Sequence, residues 1–217
     1  TYLFRDENSD SRQLFSVDCS NPSYKSEKMF DVSKDASVLS HEEALRRERM
    51  RLFGSGVASY EWSGDSSEAQ KVMIPFNGKI LMVDPNAQRG SFRLLYDDTV
   101  TGPCIDPHMS PDNSAVAFVL DDNLWVQHLS KTDLMPVRLT ENGTAAGIQC
   151  GAADYIAQEE MDRYRGFWWA PNSKKIAYEQ VDESHIPIYR ILHQGKDIVG
   201  DNAQEDHHYP FAGAANP

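Results

Sequence analysis

Two adjacent glutamates, Glu159 and Glu160, are the residues of this sequence whose chemistry is simplest to state. They fall in the stretch 155–163, whose composition suits a short helix. Two carboxylates held close together can share the three N–H donors of a primary ammonium group. Without a cation or a proton between them, the two charges would repel each other. The pair therefore predicts a site for a primary amine, and the alternative is an ordinary solvated surface.

Three arginines, Arg47, Arg49 and Arg51, alternate with other residues in the first quarter of the chain. They lie at the end of a stretch with strong helix propensity. From the spacing alone, the run predicts either a solvated helix face or pairing with Glu43 and Glu48 one turn away.

The helix that carries these arginines is predicted over residues 39–51, LSHEEALRRERMR. Ser40 and Glu43 form a capping-box signature at its start. Gly54 and Gly56 supply a plausible stop. A charged helix of this kind, in a chain otherwise rich in strand signals, is expected to be an excursion from a sheet.

The sequence lacks the signatures of a catalytic or metal centre. No G-x-S-x-G nucleophile elbow occurs, and Gly54-Ser55-Gly56 has the wrong spacing. The stretch 41–45 begins like H-E-x-x-H but has Leu45 in the place of the second histidine. We therefore predict no metal, no other cofactor and no catalytic residue in these 217 residues.

The composition narrows the class of protein. The 217 residues are 40% hydrophobic and 25% charged, as in ordinary globular proteins, and the net charge is −12. An acidic surface repels phosphate backbones, so nucleic acid is not expected as a partner. No apolar run approaches the roughly 18 residues of a membrane span, and no signal peptide is visible. Cys19, Cys104 and Cys150 are too few and too scattered for a disulfide framework, which favours a cytosolic protein.

A repeated unit in the sequence predicts the β-sheets that surround the two helical stretches. Each copy reads strand, Pro-Asp-type turn, strand, polar turn and strand, with β-branched and aromatic residues in the strands. The turn positions Asp65, Asp112 and Asn172 lie about 47 and about 60 residues apart. Repeats of roughly 40 to 50 residues with several strands each are typical of β-propeller blades. The longer second interval predicts an insertion between blades, at residues 147–165.

The predicted fold is all-β: a partial β-propeller of four-stranded antiparallel blades with two short helical insertions, near 40–51 and 154–164. An open arc of blades leaves unpaired strand edges, so we favour a longer natural chain over pairing between molecules. The predicted segments are a blade end at 1–20, a helical insertion at 39–53, blades at about 57–100, 101–145 and 166–192, the double-glutamate helix at 154–164 and the start of a further blade at 207–217.

The segment 158–172, QEEMDRYRGFWWAPN, resembles the double-glutamate segment of the dipeptidyl peptidase IV family of prolyl oligopeptidase-type serine peptidases. It is most similar to the bacterial dipeptidyl aminopeptidase IV and dipeptidyl peptidase 8/9 branches. The stretches 42–51, 181–184 and 209–217 resemble further landmarks of that family, in the same order. The resemblance spans nearly the whole chain, and its double-glutamate and Trp-Trp block is highly specific.

The resemblance implies roles for particular residues. In that family the propeller glutamates hold the free N-terminus of the substrate, so that only two residues precede the scissile bond. Carried over, Glu159 and Glu160 are the amine anchors, and Arg51 is the arginine placed near the first carbonyl oxygen of the substrate. Trp168 and Trp169 are expected to pack in a blade core.

The resemblance also implies a parent enzyme: a serine peptidase that releases N-terminal X-Pro or X-Ala dipeptides through a Ser-His-Asp triad in an α/β-hydrolase domain. That domain would follow this segment, so the segment itself is expected to be inactive. The implied partners are peptide substrates with a free N-terminus and the hydrolase domain of the same chain. The alternative function is a non-catalytic propeller that binds protein partners. The oligomeric state is left open, with a homodimer among the alternatives.

Overall fold

The computed structural model describes residues 2–5, 11–30, 39–52, 55–63, 70–86, 91–130, 135–143, 146–192 and 203–217. Its strands are β1 (Tyr2–Arg5), β2 (Ser11–Val17), β3 (Ser26–Phe30), β4 (Ser55–Gly56), β5 (Glu61–Trp62), β6 (Val72–Phe76), β7 (Lys79–Val83), β8 (Arg93–Tyr96), β9 (Ile105–Met109), β10 (Ala115–Leu120), β11 (Asn123–His128), β12 (Val137–Arg138), β13 (Ile148–Cys150), β14 (Phe167–Trp169), β15 (Ile176–Tyr178), β16 (Gln180–Asp182), β17 (Ile188–Leu192) and β18 (Gln204–His208). Its helices are α1 (His41–Arg49), α2 (Asp98–Thr101) and α3 (Tyr155–Glu160).

The fold is mostly β-sheet with few helices, as the sequence predicts. Helices α1 and α3 lie in the two predicted helical stretches, but they end at Arg49 and Glu160, earlier than expected. The four-residue helix α2 has no counterpart in the sequence prediction. Among the described residues, no helix is both long enough and apolar enough to cross a membrane.

Two antiparallel four-stranded sheets form the centre of the described structure. We call β5–β8 the first meander and β9–β12 the second meander, because each follows the chain strand by strand. The central hairpin of the first meander turns on Asn77 (φ 49°) and Gly78 (φ 81°). The central hairpin of the second meander turns on Asp121 (φ 47°) and Asp122 (φ 57°). Two consecutive left-handed residues match the twist of the flanking strands, which is why Asn, Asp and Gly occur there.

The two meanders share an apolar core. Buried side chains of the first meander, including Met73 and Ile80, pack against Val116, Phe118 and Leu120 of the second. The ring of Phe118 is fully buried. Removing such side chains from water is the main favourable contribution to the folding of these sheets.

The repeat seen in the sequence reappears as a repeated turn. In the hairpins after β9 and β14, the N–H of the first turn residue, Ser110 or Ala170, donates across the turn at 2.8 Å. Three residues further on, Asn113 and Ser173 both have φ of 59°. The corresponding turn at Asp65 lies outside the described residues.

The third repeat is interrupted in the middle of a strand. Strand β13 pairs with β16, and β14 pairs with β15, within the continuous stretch 176–182. Glu179 donates its N–H to the Gly166 carbonyl and accepts from the Gly151 N–H, both at 2.8 Å. Strands β13 and β14 are therefore two halves of one strand position, and residues 151–166 form an excursion between them. We call β13–β16 the interrupted unit.

The remaining strands form two smaller groups. Strands β1, β2 and β3 make an antiparallel sheet, with β4 parallel to β2. Strand β17, which the sequence placed in the same blade as residues 166–182, instead pairs with β18 as a separate hairpin.

The expectation that both tryptophans pack in a core is wrong for Trp168. The side chains of β14 alternate between faces: Phe167 is fully buried, whereas Trp168 is 41% exposed. Trp169 is partly buried, and its indole N–H donates to the His108 carbonyl at 3.1 Å. The tryptophan pair thus joins the interrupted unit to the second meander through one member only.

Candidate amine-binding site

Helix α1 begins at its predicted N-cap and ends in a hydrogen-bonded turn that the sequence analysis does not predict. The hydroxyl of Ser40 accepts from the Glu43 N–H at 3.2 Å, which confirms the predicted N-cap. At the other end, the backbone N–H of Arg51 donates to the Glu48 carbonyl at 2.9 Å, and the backbone N–H of Leu52 donates to the Arg47 carbonyl at 2.8 Å. This is the Schellman pattern, which places Arg51 at the position that glycine usually occupies.

Arg51 has φ of 56°, in the left-handed region that a side chain with a β-carbon adopts at a cost. Of the glycines predicted to stop the helix, Gly54 lies outside the described residues and Gly56 belongs to β4. The helix itself ends at Arg49, and the left-handed position two residues later is occupied by Arg51. Backbone strain at this position makes Arg51 a candidate for a functional role.

The alternative reading of the arginine run holds for Arg47. Its Nε donates to the Glu43 carboxylate at 2.7 Å, one turn away in α1. Arg47 is only 4% exposed, so this pair is internal. Arg47 is thus a structural member of the run.

Helix α3 presents the glutamate pair at its C-terminal end. Asp154 caps the helix by accepting from the Ala157 N–H at 2.9 Å. Glu159 and Glu160 are its last two residues, and the chain leaves it through Asp162 at φ of 51°. The C-terminus of a helix carries a partial negative charge that adds to the two carboxylates. This end of α3 therefore favours cations.

Arg49 lies beside the first glutamate of the pair. Its Nε lies 3.8 Å from Glu159 Oε1, and its Nη1 donates to Gln158 Oε1 at 3.0 Å. Its guanidinium carbon lies 4.9 Å from the centre of the Tyr155 ring, within cation–π range. The Tyr164 hydroxyl donates to the Arg49 carbonyl at 3.0 Å. The end of α1 is thereby attached to the excursion that carries α3.

A cavity of about 440 Å³ opens between α1, α3 and the β17–β18 hairpin. It brings together two of the three predicted site residues, Arg51 and Glu159, whereas Glu160 is exposed and is not among the lining residues. The lining residues are Leu45, Glu48, Arg49, Arg51, Tyr155, Glu159, Tyr189, Ile191, His207, Tyr209 and Phe211. A larger cavity of about 540 Å³, beside the two meanders, contains none of the predicted site residues.

Aromatic rings form one wall of the 440 Å³ cavity. Tyr209 lies 5.5 Å from Tyr155, 6.0 Å from Tyr189 and 5.7 Å from Phe211, measured between ring centres. Partial burial and the nearby Glu159 carboxylate raise the pKa of Tyr155, so its phenol stays neutral near pH 7. The arrangement offers negative charge for an amine, guanidinium groups for an oxygen acceptor and apolar rings for a side chain.

Sequence reasoning identified this site only in part. It named the glutamates and the arginine run, but it chose Arg51 and did not assign Arg49 or the aromatic wall. The segment 209–217 resembles a family landmark, yet nothing in the sequence indicates that Tyr209 and Phe211 lie on the same cavity as Glu159. Among the described residues, no group of three or more His, Cys, Asp or Glu side chains is arranged to hold a metal ion. The absence of a cofactor remains a prediction.

Comparison with known proteins shows which family this chain resembles. Residues 66–217 match the family described as "Dipeptidyl peptidase IV (DPP IV) N-terminal region". Dipeptidyl peptidase 8 of Homo sapiens is 27% identical over 207 residues, covering 87% of this chain and 22% of the relative. Probable dipeptidyl-aminopeptidase B of Uncinocarpus reesii is 28% identical over 149 residues, covering 59% of this chain and 16% of the relative.

The crystal structure of Porphyromonas gingivalis dipeptidyl peptidase 4 has a similar fold. The TM-score is 0.59 at 20% sequence identity, over 99% of this chain and 28% of that one. The chain thus spans between 16% and 28% of the length of these relatives. Because the family match extends over more than half of its residues, this chain belongs to the dipeptidyl peptidase IV N-terminal region family.

Proposed function

We propose that this chain is the substrate-anchoring part of a serine-type dipeptidyl peptidase, and that Glu159 and Glu160 bind the free N-terminus of the peptide substrate. The single observation that carries the proposal is the position of the glutamate pair at the C-terminal end of α3, with Glu159 beside a 440 Å³ cavity. A primary ammonium group supplies three donors, enough for both carboxylates.

The surroundings of Glu159 support an amine with a peptide attached over a simple cation. Arg49 and Arg51 lie on the same cavity, where they can donate to the carbonyl oxygen that follows the amine in a peptide. The aromatic wall of Tyr155, Tyr189 and Tyr209 can cover the side chain of the first residue.

The anchor would set the length of the product. If the ammonium is held at α3 and the hydrolase domain of the same chain presents its nucleophile at a fixed distance, only two residues fit between them. This arrangement and the family membership support the release of N-terminal X-Pro or X-Ala dipeptides as the activity of the whole protein. Holding the substrate in register contributes to the rate as well as to the affinity.

We also propose that the first and second meanders are successive blades of a β-propeller. Their strand-by-strand order and their shared apolar core support this arrangement. The interrupted unit would be the next blade, with the excursion 151–166 reaching into the substrate space.

The proposal is tested in the full-length protein with a Gly-Pro chromogenic substrate. Glu159→Gln or Glu160→Gln keeps the side-chain shape but removes one charge. A lost charge-assisted hydrogen bond costs about 1.5–3 kcal/mol, so kcat/KM should fall roughly 10- to 150-fold. The matched control is Glu141→Gln, at an exposed position outside this cavity, which should leave kcat/KM unchanged.

A second substrate separates anchoring from damage to the fold. An N-acetylated dipeptide has no ammonium group, so it should be poor for the wild type and lose little further in either variant. Wild-type efficiency of both glutamine variants on free-amine substrates would refute the anchor. The 217-residue segment alone should release no product above background.

A further inference from the structure

Behind the amine site, five charged or titratable side chains from four parts of the fold meet in one cluster. They are Arg46 of α1, Glu61 of β5, Asp106 and His108 of β9, and Arg165 at the base of the excursion. The predicted roles of α1 and α3 do not involve them. We call them the His108 cluster.

Asp106 is the member that reaches α1. It is 7% exposed, and its Oδ1 accepts from Arg46 Nη2 at 2.5 Å and lies 3.2 Å from His108 Nε2. Its backbone has φ of 50°, a conformation that Asp and Asn tolerate better than most residues. Arg46 lies one helical turn before Arg49, so this ion pair fixes the helix that presents Arg49 to Glu159.

The His108 ring lies between two carboxylates. Its Nδ1 is 3.1 Å from Glu61 Oε2, and its Nε2 is 3.2 Å from Asp106 Oδ1. A doubly protonated ring can donate to both carboxylates, whereas a neutral ring can donate to only one. Protonated His108 therefore joins the first meander, through Glu61, to the residue that holds α1.

Arg165 opposes protonation of His108, whereas Asp106 and Glu61 favour it. Its Nε donates to His108 Nε2 at 3.0 Å, and its Nη2 contacts His108 Nδ1. These contacts favour the neutral ring, which has a nitrogen lone pair to accept. Arg165 stands at the base of the excursion that carries Glu159, so His108 contacts residues that support both halves of the amine site.

The balance of these groups decides the direction of the titration. Burial lowers the pKa of His108, the hydrogen bonds to Asp106 and Glu61 raise it, and Arg165 lowers it, with a net rise above the ordinary value. The adjoining cavity of about 240 Å³ contains the further charges of Glu43 and Arg47 of α1 and of Lys79 of β7, together with the side chains of Tyr60 and Cys104. The Phe167 ring of β14 is uncharged and lies 5.5 Å from the imidazole.

We propose that His108 is a positioning residue whose protonated form braces Asp106 and Glu61, fixes Arg46, and so holds Arg49 and the glutamate pair in binding geometry. The inference rests on the proposed amine-binding function and adds to it a dependence on pH. Because the folded-state pKa is raised, the bracing is complete below about pH 6.5 and is lost as the pH rises through the pKa of His108.

The first test is the pH dependence of His108→Gln in the full-length enzyme. Glutamine keeps one donor but cannot carry the charge. The ratio of wild-type to variant kcat/KM is measured from pH 5.5 to 8.5, because titrations of the substrate amine and of the triad cancel in that ratio. It should be roughly 3- to 10-fold at the acidic end, mainly through KM, and should approach 1 at the alkaline end.

Two further variants distinguish positioning from general damage. Asp106→Asn keeps the left-handed backbone but removes the charge that pairs with Arg46, so it should raise KM and remove the same pH dependence. His128→Gln, at the exposed end of β11, should give a ratio of 1 at every pH. A His108→Gln ratio that is independent of pH would overturn the proposal.

The second test does not depend on catalysis. The side-chain resonance of His108, assigned by its loss in His108→Gln, is titrated by NMR in protein with labelled histidine rings. Its midpoint should lie above 6.5 in the wild type and should fall in Glu61→Gln. A wild-type midpoint at or below 6.5 would refute the bracing. If the glutamate variants are fully active while this midpoint is raised, the amine site is wrong but the cluster is not.

Discussion

The second meander and the interrupted unit contain the same repeat, used in two ways. In the second meander, all six residues of β10 are buried and the four strands follow each other without a break. In the interrupted unit, β15 and β16 are mostly exposed and the strand opposite them is split by the excursion. The regular copy contributes core, and the split copy contributes the helix that carries Glu159.

The difference shows how the glutamates are held. The excursion returns to the strand position that it left, because Ala152 and Arg165 pair as an isolated antiparallel bridge. Gly151 and Gly166 lie directly beside this bridge, where the two chain segments are close together. A narrow base of this kind lets a long insertion extend from a sheet without breaking the pairing on either side.

Of the variants considered, Gly166→Ala should have the largest effect on stability, because it disturbs the narrow base of the excursion. A β-carbon at Gly166 would lie 2.5 Å from the Ala152 carbonyl carbon and 2.6 Å from the Gly151 carbonyl oxygen, both backbone atoms. Moving the two segments apart should cost about 1–3 kcal/mol, the range for overpacked sites. Hydrogen-exchange mass spectrometry should detect easier opening at β13 and β14, and kcat/KM of the full-length enzyme should fall.

The same measurement contains its own control. Protection of β10 in the second meander should stay at the wild-type level, because its hydrogen bonds run to β9 and β11 and do not involve the excursion. Equal loss of protection in both units would mean that they unfold together and that the contrast between them is not energetic.

Ser110→Ala should give an intermediate effect, confined to the second meander. The buried Ser110 hydroxyl donates to Asp112 at 2.8 Å and accepts from the Ala115 N–H at 3.0 Å. Leaving that buried N–H without its acceptor should cost about 1–2 kcal/mol in the opening of β10. In the interrupted unit the equivalent residue is already Ala170, so the substitution makes the two turns alike.

The reverse change, Ala170→Ser, sharpens the comparison. A hydroxyl added to that turn should stabilise β15 by up to about 1 kcal/mol.

Hydrogen bonds from Ser114 and Ser110 lower the pKa of Asp112 to about 2. A carboxyl group whose pKa is lowered in the folded state stabilises the fold, and this contribution is lost as the pH falls through the folded-state pKa. Because Ser110→Ala removes one of the hydrogen bonds that lower the pKa of Asp112, the variant should lose hydrogen-exchange protection at a higher pH than the wild type during acidification.

The extent to which the sequence predicts the structure differs between the two regions. Hairpin signals such as Asn77-Gly78 are local, so the strands and turns of the meanders follow from short stretches of sequence. The N-cap at Ser40 is equally local. The contact of Arg49 with Glu159 joins residues more than 100 positions apart, and no periodicity or spacing encodes it.

For the same reason, neither the aromatic wall nor the His108 cluster can be predicted from the sequence. Each consists of residues from several elements, and each residue alone has an ordinary explanation. Arg51 is a partial exception, because the family resemblance already assigns it to the carbonyl oxygen of the substrate. Its strained backbone conformation, however, is visible only in the structure. It leaves two arginines, Arg49 and Arg51, as candidates for the carbonyl of the substrate.

Arg51→Gly should have the smallest effect on stability of these variants, and it should stabilise the fold where Gly166→Ala and Ser110→Ala destabilise it. A non-glycine residue in the left-handed region costs about 1–2 kcal/mol, and glycine returns part of this through its greater freedom in the unfolded chain. The end of α1 should therefore open less readily, by about 0.5–1 kcal/mol in hydrogen exchange. If the guanidinium binds the substrate carbonyl, kcat/KM should nevertheless fall roughly 10- to 150-fold.

Two alanine variants complete the comparison. Arg51→Ala removes the same guanidinium but keeps the backbone strain, so it should match Arg51→Gly in kcat/KM and not in hydrogen exchange. Arg49→Ala removes the contacts to Gln158 and Glu159, so it should loosen the attachment of α1 to the excursion. If both Arg51 variants cleave Gly-Pro substrates at wild-type efficiency while Arg49→Ala does not, the carbonyl ligand is Arg49. In that case the strain at Arg51 belongs to the end of the helix and has no role in binding.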